Sequence, residues 1–125
     1  MTVGEIKATV MHQTNNDVSD LEDFAPFLND YINDGYDKML MAYASEHAGS
    51  ENYPALLSDE DKPNLPDWWH NALADWATWL VYRNGNAAKQ QRGYVFRTAF
   101  EEALAQIKAE GGKHGVVRYF INIPK

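Results

Sequence analysis

The stretch LPDWWHNALADWATWLVYRNG, residues 65–85, decides the fold predicted for this chain. It contains all four tryptophans: Trp68, Trp69, Trp76 and Trp79. Four large residues recur at steps of four, three and four, which places them on one face of a helix. These residues are Trp69, Leu73, Trp76 and Leu80. Because buried aromatic side chains contribute much apolar area, this helix is predicted to supply the centre of the core, with Trp76 in its middle.

Both ends of this tryptophan helix carry signals in the sequence. Pro66 and the acidic Asp67 suit the first turn, where a backbone N–H donor has no partner within the helix and the helix dipole is positive. Asn84 and Gly85 end the helix, and Gly85 is predicted to take the left-handed conformation that follows many helices.

Composition limits the class of protein. A chain of 125 residues with 45% hydrophobic residues is long and apolar enough for one folded domain, which argues against disorder. The absence of cysteine excludes disulfides and thiolate chemistry. The sequence shows neither a signal peptide nor a run of ~18 apolar residues, so no membrane association is expected. The net charge of −7 and the scattered basic residues predict no specific binding to nucleic acid.

Hydrophobic periodicity predicts three further helices. A short one spans residues 3–12, after the capping-box pattern of Thr2 and Glu5. A longer one begins at Leu21 or Phe24 and reaches residue 46, and Gly35 within it marks either a close helix crossing or a bend. The last spans residues 86–110, with Asn86 as its N-cap and a stop at Gly111-Gly112.

The predicted fold is therefore all-α. One short N-terminal helix and three longer helices form a compact helical domain over residues 1–112. A long loop at 48–64 is pinned to the core by Tyr53, Leu56 and Leu57. The predicted core draws on the tryptophan helix and on the last helix: Trp69, Leu73, Trp76, Leu80, Phe96, Phe100 and Leu104.

Residues 113–125 form a separate, extended tail in this prediction. β-branched and aromatic residues dominate residues 115–123, and Pro124 ends the run. Alternate residues share one face, as in a β-strand, yet no second segment offers an equal partner. The tail therefore either folds back on its own helices or adds to the sheet of another chain. The candidate partner-binding residues are Val117, Tyr119, Phe120, Ile121 and Ile123.

No catalytic or metal-binding constellation is visible. The four histidines fall on different predicted segments, so they are interpreted as ordinary surface or half-buried residues. The acidic run at 59–61 lacks the spaced oxygens and central glycine of a calcium loop. No serine has the setting of a hydrolase nucleophile, and no phosphate loop precedes a helix. The sequence predicts no catalytic residue, no metal ligand and no cofactor, hence no enzyme.

Two tryptophans lie off the main stripe. Trp68 and Trp79 point away from the face that holds Trp69 and Trp76. They either complete the core or lie on a subunit interface, where aromatic residues are enriched.

Residues 65–77, LPDWWHNALADWA, resemble the "LPxWxHxALxxWA" helix of small adaptor proteins from tailed bacteriophages and prophages. The likeness continues through YRNGN at 82–86, a helix with Arg97 and FEEAL at 100–104, a Gly-Gly break and an extended tail. It covers about residues 20–123. The N-terminal helix and the long acidic loop depart from the pattern.

This resemblance to head–tail connector, or head-completion, proteins implies a ring of identical subunits below the portal, in the neck of the virion. It implies no enzymatic activity. The expected partners are the portal protein, tail-side connector proteins and copies of the chain itself, and before assembly the host cytoplasm is the expected location. The C-terminal extension is expected to dock on the portal.

A second reading comes from a different class of protein. The same residues fit a bacterial helical interaction module or regulator with no role in a virion. Portal and major capsid genes beside this one would favour the adaptor.

Overall fold

Four α-helices build the part of the chain that the structure describes. The computed structural model describes residues 1–14, 25–43 and 54–122, and its side chains are described except at Tyr43 and 110–122. Two 3₁₀ turns, Ala25–Phe27 and Asp67–Trp69, lead into the second and third helices. The helices are α1 (Val3–Thr14), α2 (Leu28–Tyr43), α3 (His70–Arg83) and α4 (Ala87–Asn122). Because no strand occurs within these ranges, the all-α class is confirmed for the described residues.

Helix α3 lies at the centre, as its apolar pattern predicts. It packs against α1, α2 and α4, and α2 also packs against α4. Leu73 on α3, Ile6 on α1 and Ile32 on α2 are fully buried where these helices meet. Of the predicted core residues, four are buried: Trp69, Leu73, Leu80 and Phe100. The other three are half-buried and pack at the edge of the core: Trp76, Phe96 and Leu104.

The burial of two tryptophans is the reverse of the prediction. Trp76 is half-buried, because its indole N–H reaches out to the Asp34 carboxylate at 2.6 Å. Trp79, expected off the core face, is only 6% exposed. The periodicity of α3 could not show this, because α3 is covered by helices on three sides and α4 buries the face that carries Trp79.

Two glycines allow helices to approach closely. A Cβ atom at Gly35 would lie 3.1 Å from Trp76 Cδ1, so this glycine serves the close crossing of α2 and α3. At Gly93 on α4 the approach is tighter, with 2.6 Å to Tyr82 Cβ on α3. The sequence alone does not mark Gly93, because the close approach at this residue depends on which face of α4 meets α3.

The start of α1 is capped twice. Thr2 N–H donates to Glu5 Oε1 at 3.0 Å, and Glu5 N–H donates to Thr2 Oγ1 at 3.2 Å, so the predicted capping box forms. The Thr2 N–H bond holds the pKa of Glu5 below its usual value, with a further contribution from the Thr2 hydroxyl. The carbonyl of Asp61, in the loop before α3, accepts the Val3 N–H at 2.8 Å. Local sequence thus places the helix start, and a distant loop completes it.

The described part of the long loop is fastened to α2 by Asn33. Its Oδ1 accepts the Leu56 N–H at 2.8 Å, and its Nδ2 donates to the Leu56 carbonyl at 2.9 Å. Leu56 is buried as predicted, but Leu57 is 81% exposed and does not pin the loop. The local sequence does not mark Asn33 as an anchor, because its partner lies 23 residues away.

The turn between α3 and α4 differs from the prediction at Gly85. No glycine in the described residues has a positive φ. Asn84 keeps a helical conformation (φ −81°, ψ −3°), and Gly85 N–H bonds to the Tyr82 carbonyl at 2.9 Å, so the last turn tightens without a left-handed residue. Asn86 does cap α4, since its Oδ1 accepts the Lys89 N–H at 3.0 Å.

Helix α4 does not stop at Gly111-Gly112. It continues to Asn122, so the structure gives the predicted extended strand no support. A glycine costs ~1 kcal/mol in a helix, but a strand without a partner leaves every backbone group unpaired, whereas a helix pairs them internally. The boundary predicted between residues 112 and 113 falls inside this helix.

Some predictions fall outside the described residues. They concern the helix ends at 21–24 and 44–46, the anchor Tyr53, and the residues Ile123 and Pro124.

Candidate interaction surface

Trp68 is the aromatic residue of the 65–77 motif that faces solvent. Its side chain is 60% exposed, while the adjacent Trp69 is 4% exposed. The two indoles meet edge to face with centroids 4.6 Å apart, so Trp69 fixes the orientation of the outer ring. This geometry places a large, rigid apolar group at the N-terminal end of α3, which is the kind of anchor that protein interfaces use.

His70, the histidine of the same motif, is a buried structural residue. It is 1% exposed, whereas the histidines were predicted to be surface or half-buried residues. Its Nε2 lies 2.9 Å from the Leu65 carbonyl, and its Nδ1 lies 2.8 Å from the α-ammonium group of Met1. Because a carbonyl only accepts, Nε2 carries the proton and Nδ1 accepts. Both ring nitrogens are therefore used in joining α3 to the loop and to the start of α1.

A shallow groove of about 470 Å³ opens between α2 and α3. We call it the Trp76 groove; its lining residues are Asp30, Tyr31, Asp34, Lys38, Trp76, Leu80 and Arg83. Trp76 is held from three directions. Asp34 binds its N–H, the Phe100 ring packs at 4.7 Å between centroids, and Lys38 Nζ lies 5.3 Å from the centre of its ring. The aromatic wall of the groove is therefore rigid before any partner arrives.

The rim of the Trp76 groove carries charges that are not used within the described structure. The side-chain carboxylate of Asp30, one turn before Asp34 on α2, makes no hydrogen bond or ion pair with the described residues. The guanidinium group of Arg83, at the end of α3, likewise has no partner there. Tyr31 extends the aromatic surface toward Phe27, which stacks on it at 6.4 Å and is 50% exposed. An aromatic surface beside unpaired charges suits a partner that carries both apolar side chains and charged side chains.

A second aromatic surface lies where α3 meets α4. Tyr94 stacks on Trp79 with centroids 5.1 Å apart, and the guanidinium carbon of Arg97 lies 5.6 Å from the centre of that indole. Arg97 also pairs with Glu101 at 2.8 Å. Tyr94 and its neighbour Val95 remain 46% and 65% exposed. Trp79 therefore supports this surface from beneath and does not itself offer the contact.

A polar network joins α1 to α3 and includes one half-buried acid. Gln13 Nε2 donates to Asp75 Oδ1 at 3.1 Å, and Gln13 Oε1 accepts the Thr78 hydroxyl at 2.5 Å. Burial raises the pKa of Asp75 above its ordinary value, and the bond from Gln13 opposes this only partly. The bond between Gln13 and Asp75 attaches α1 to α3.

The predicted partner-binding residues are not brought onto these surfaces by any described contact. Val117, Tyr119, Phe120 and Ile121 lie on the last part of α4, where the backbone is helical and the side chains fall outside the described residues. Ile123 lies outside the described residues altogether. Their assignment as binding residues stays a prediction.

A charge asymmetry in the sequence marks this same segment. Residues 111–125 hold three of the 11 lysine and arginine residues and none of the 18 acidic ones. They carry a formal charge of +3, and residues 1–110 carry −10. Single basic residues look scattered along the chain, and the division appears only when the net charges of segments are compared.

The described residues lack two other kinds of feature, a metal site and a membrane-spanning helix. No group of three or more histidine and acidic side chains there could hold a metal ion. None of the described helices combines the length and the apolar character needed to cross a membrane.

Comparisons with known proteins add no relative. No protein-family model, no curated protein and no solved structure matches this chain.

Proposed function

We propose that the chain is a structural head–tail connector subunit of a tailed bacteriophage or prophage. Copies of it form a ring below the portal and help to join the DNA-filled head to the tail. Its partners are the portal protein, tail-side connector proteins and its own copies, and its place is the neck of the virion. This proposal rests on the resemblance of residues 65–77 and the segments after them to adaptor proteins.

The exposure of Trp68 is the observation that carries the proposal. Most other apolar residues of the motif have a use within the fold: Leu65, Leu73 and Ala77 are buried, and Trp76 is bound by Asp34. Trp68 is 60% exposed, so packing within the chain accounts for little of its large side chain. A tryptophan held rigidly at a surface supports a protein-binding role, since such residues dominate binding energy at interfaces.

The charge of the body supports a place around a DNA channel. Residues 1–110 carry a net charge of −10, and DNA carries one negative charge per ~1.7 Å of helix axis. A ring of such subunits repels the DNA backbone and so lets DNA pass without gripping it. A bacterial regulator that binds DNA specifically would need a basic surface instead.

The test combines gene order with a binding measurement. The portal and major capsid genes are expected beside this gene. The portal protein encoded there should capture the purified full-length chain, and Trp68→Ala should weaken that capture at least about tenfold. Neighbouring genes without a portal or capsid protein would favour the bacterial interaction module.

A matched control separates binding from folding. Met41→Ala also truncates a large exposed apolar side chain, 74% exposed on α2, and should leave portal capture unchanged. Both variants should melt close to the wild-type temperature, because neither side chain belongs to the buried core. If Trp68→Ala binds the portal as tightly as Met41→Ala does, Trp68 is not the contact.

A further inference from the structure

The chain is built from an acidic body and a basic, apolar C-terminal segment. The segment from residue 113 to residue 125 contains Lys113, Arg118 and Lys125 between aromatic and β-branched residues, with no acid. The body before it is strongly acidic. Opposite charges of this kind bring two surfaces together and fix their orientation.

The Trp76 groove offers the chemistry that such a segment requires. Asp30 lies exposed on the rim without a partner among the described residues, one helical turn from the carboxylate of Asp34. A guanidinium group binds carboxylates and also stacks on aromatic faces, and Tyr31 supplies such a face beside Asp30. The groove also holds two positive groups: Lys38 lies over the Trp76 ring, and Arg83 ends α3.

The segment cannot reach the groove of its own chain while α4 is intact. Phe100 packs against Trp76, at the level of the groove. From Phe100 the helix continues to Asn122, so Arg118 lies 18 residues and roughly 27 Å farther along its axis, at ~1.5 Å per residue. Contact between segment and groove therefore requires two copies.

We propose that the Trp76 groove binds the C-terminal segment, residues 113–125, of a second copy of this chain. The basic residues of the segment lie beside Asp30 and Asp34, and its apolar residues cover Tyr31 and Trp76. The inference rests on the self-association that is part of the proposed function, and it identifies the contact. Because the two surfaces differ, the contact is head-to-tail, which is the arrangement that closes into rings.

A peptide experiment tests the groove directly. A labelled peptide with the sequence of residues 113–125 should bind the full-length chain at about 50 mM salt, where surface charges are weakly screened. Asp30→Arg should weaken binding about fivefold or more, whereas Asp37→Arg should not. The control makes the same charge change at an exposed position of α2 that does not line the groove.

Three results of the peptide experiment would overturn the inference. They are an absence of binding up to ~200 μM peptide, equal effects of the two arginine variants, or equal binding of a scrambled peptide. Equal effects of the two variants, or equal binding of the scrambled peptide, would mean that the peptide binds through general attraction between opposite charges.

Mixing two variants tests the head-to-tail geometry. Asp30→Arg spoils the groove and keeps the segment, while Arg118→Glu spoils the segment and keeps the groove. Each variant alone should sediment as a monomer at a concentration at which the wild type associates. A mixture should form dimers, because one intact groove then meets one intact segment. A mixture that sediments like either variant alone, or a wild type that stays monomeric, would refute the proposed contact.

These outcomes can be told apart from failure of the connector proposal. If Asp30→Arg still associates with itself like the wild type and the portal captures it, the groove assignment is wrong and the connector function stands. If peptide binding and complementation succeed but no portal captures the chain, self-association is real and the connector function is wrong.

Discussion

Replacing Gly93 by alanine tests whether α3 and α4 approach as closely as the structure has them. The added Cβ atom would lie 2.6 Å from Tyr82 Cβ and 2.9 Å from Trp79 Cε3. Carbon atoms in favourable contact are ~3.5–4.0 Å apart, so the new methyl group overlaps its neighbours by about 1 Å. Such an overlap cannot remain, and either a side chain or a helix must move.

The side chains around Gly93 cannot yield cheaply. Tyr82 Cβ is attached directly to the backbone of α3, so moving it moves the helix. The Trp79 ring is stacked against Tyr94 and lies beneath Arg97. Overpacking a well-packed contact costs ~1–3 kcal/mol, and alanine regains ~1 kcal/mol through its higher helix propensity. The expected net loss of stability is therefore about 0–2 kcal/mol, which leaves Gly93→Ala about 1–3 kcal/mol less stable than a glycine-to-alanine change that gains helix propensity without overlap.

Urea denaturation followed by tryptophan fluorescence measures this loss, since Trp79 reports on the affected contact. Gly4→Ala is the matched control, because a Cβ at Gly4 in α1 would meet Asp59 at 3.4 Å and Thr2 Oγ1 at 3.8 Å, which are ordinary contact distances. That variant should be as stable as the wild type or up to ~1 kcal/mol more stable. If Gly93→Ala were as stable as Gly4→Ala, the close approach of the two helices would be wrong.

Four further predictions concern other parts of the molecule. Burial raises the pKa of Asp75, so its ionised form opposes folding above the raised pKa and not at pH below the ordinary value. Asp75→Asn should therefore be more stable than the wild type at pH 7, with a difference that shrinks toward pH 4 in urea titrations. Asn33→Ala should cost ~1–3 kcal/mol in the same assay, because the Leu56 N–H loses its partner and the Leu56 carbonyl keeps only the bond from Asn29 Nδ2, and exposed Asn71→Ala should cost almost nothing. Trp76→Ala should cost about 3 kcal/mol, the low end for a buried tryptophan, since this ring is half-buried. Fluorescence anisotropy should show no specific binding to double-stranded DNA at ~150 mM salt, and a sub-micromolar dissociation constant would revive a DNA-binding role.

Signals that act within one helical turn could be predicted from the sequence. The reciprocal bonds of Thr2 and Glu5 and the cap supplied by Asn86 both form. Each joins residues three apart in the sequence, so the residue types and their spacing contain the whole interaction. The helical class follows from the same source, since periodicity along a segment reports the face that it buries.

Contacts between distant segments could not be predicted in this way. His70 is buried because Leu65 and Met1 use its two nitrogens, and Met1 lies 69 residues away. The reversed burial of Trp76 and Trp79 has a similar cause, because burial on α3 depends on where α4 lies. The strand pattern of residues 115–123 shows that a clear local pattern is not sufficient to predict a strand. Alternation of apolar residues favours a strand, but a strand also needs a partner, and the chain carries α4 as far as Asn122.

Trp68 and the Trp76 groove lie at different points along α3, and this arrangement bears on how one small subunit could serve two contacts. Trp68 lies in the turn before the helix, and the groove takes Trp76, Leu80 and Arg83 from the middle to the end of the helix. Trp76 follows Trp68 by eight residues, roughly 12 Å along the axis at ~1.5 Å per residue, and Trp68 does not line the groove. A ring subunit needs one contact with its neighbour and another with the structure above or below the ring. If the groove serves the neighbour and Trp68 serves the portal, the two losses must be separable. Asp30→Arg should then abolish self-association and leave the contact made by Trp68 intact, and Trp68→Ala should do the reverse. Loss of both contacts in either variant would mean that the two surfaces serve a single interface.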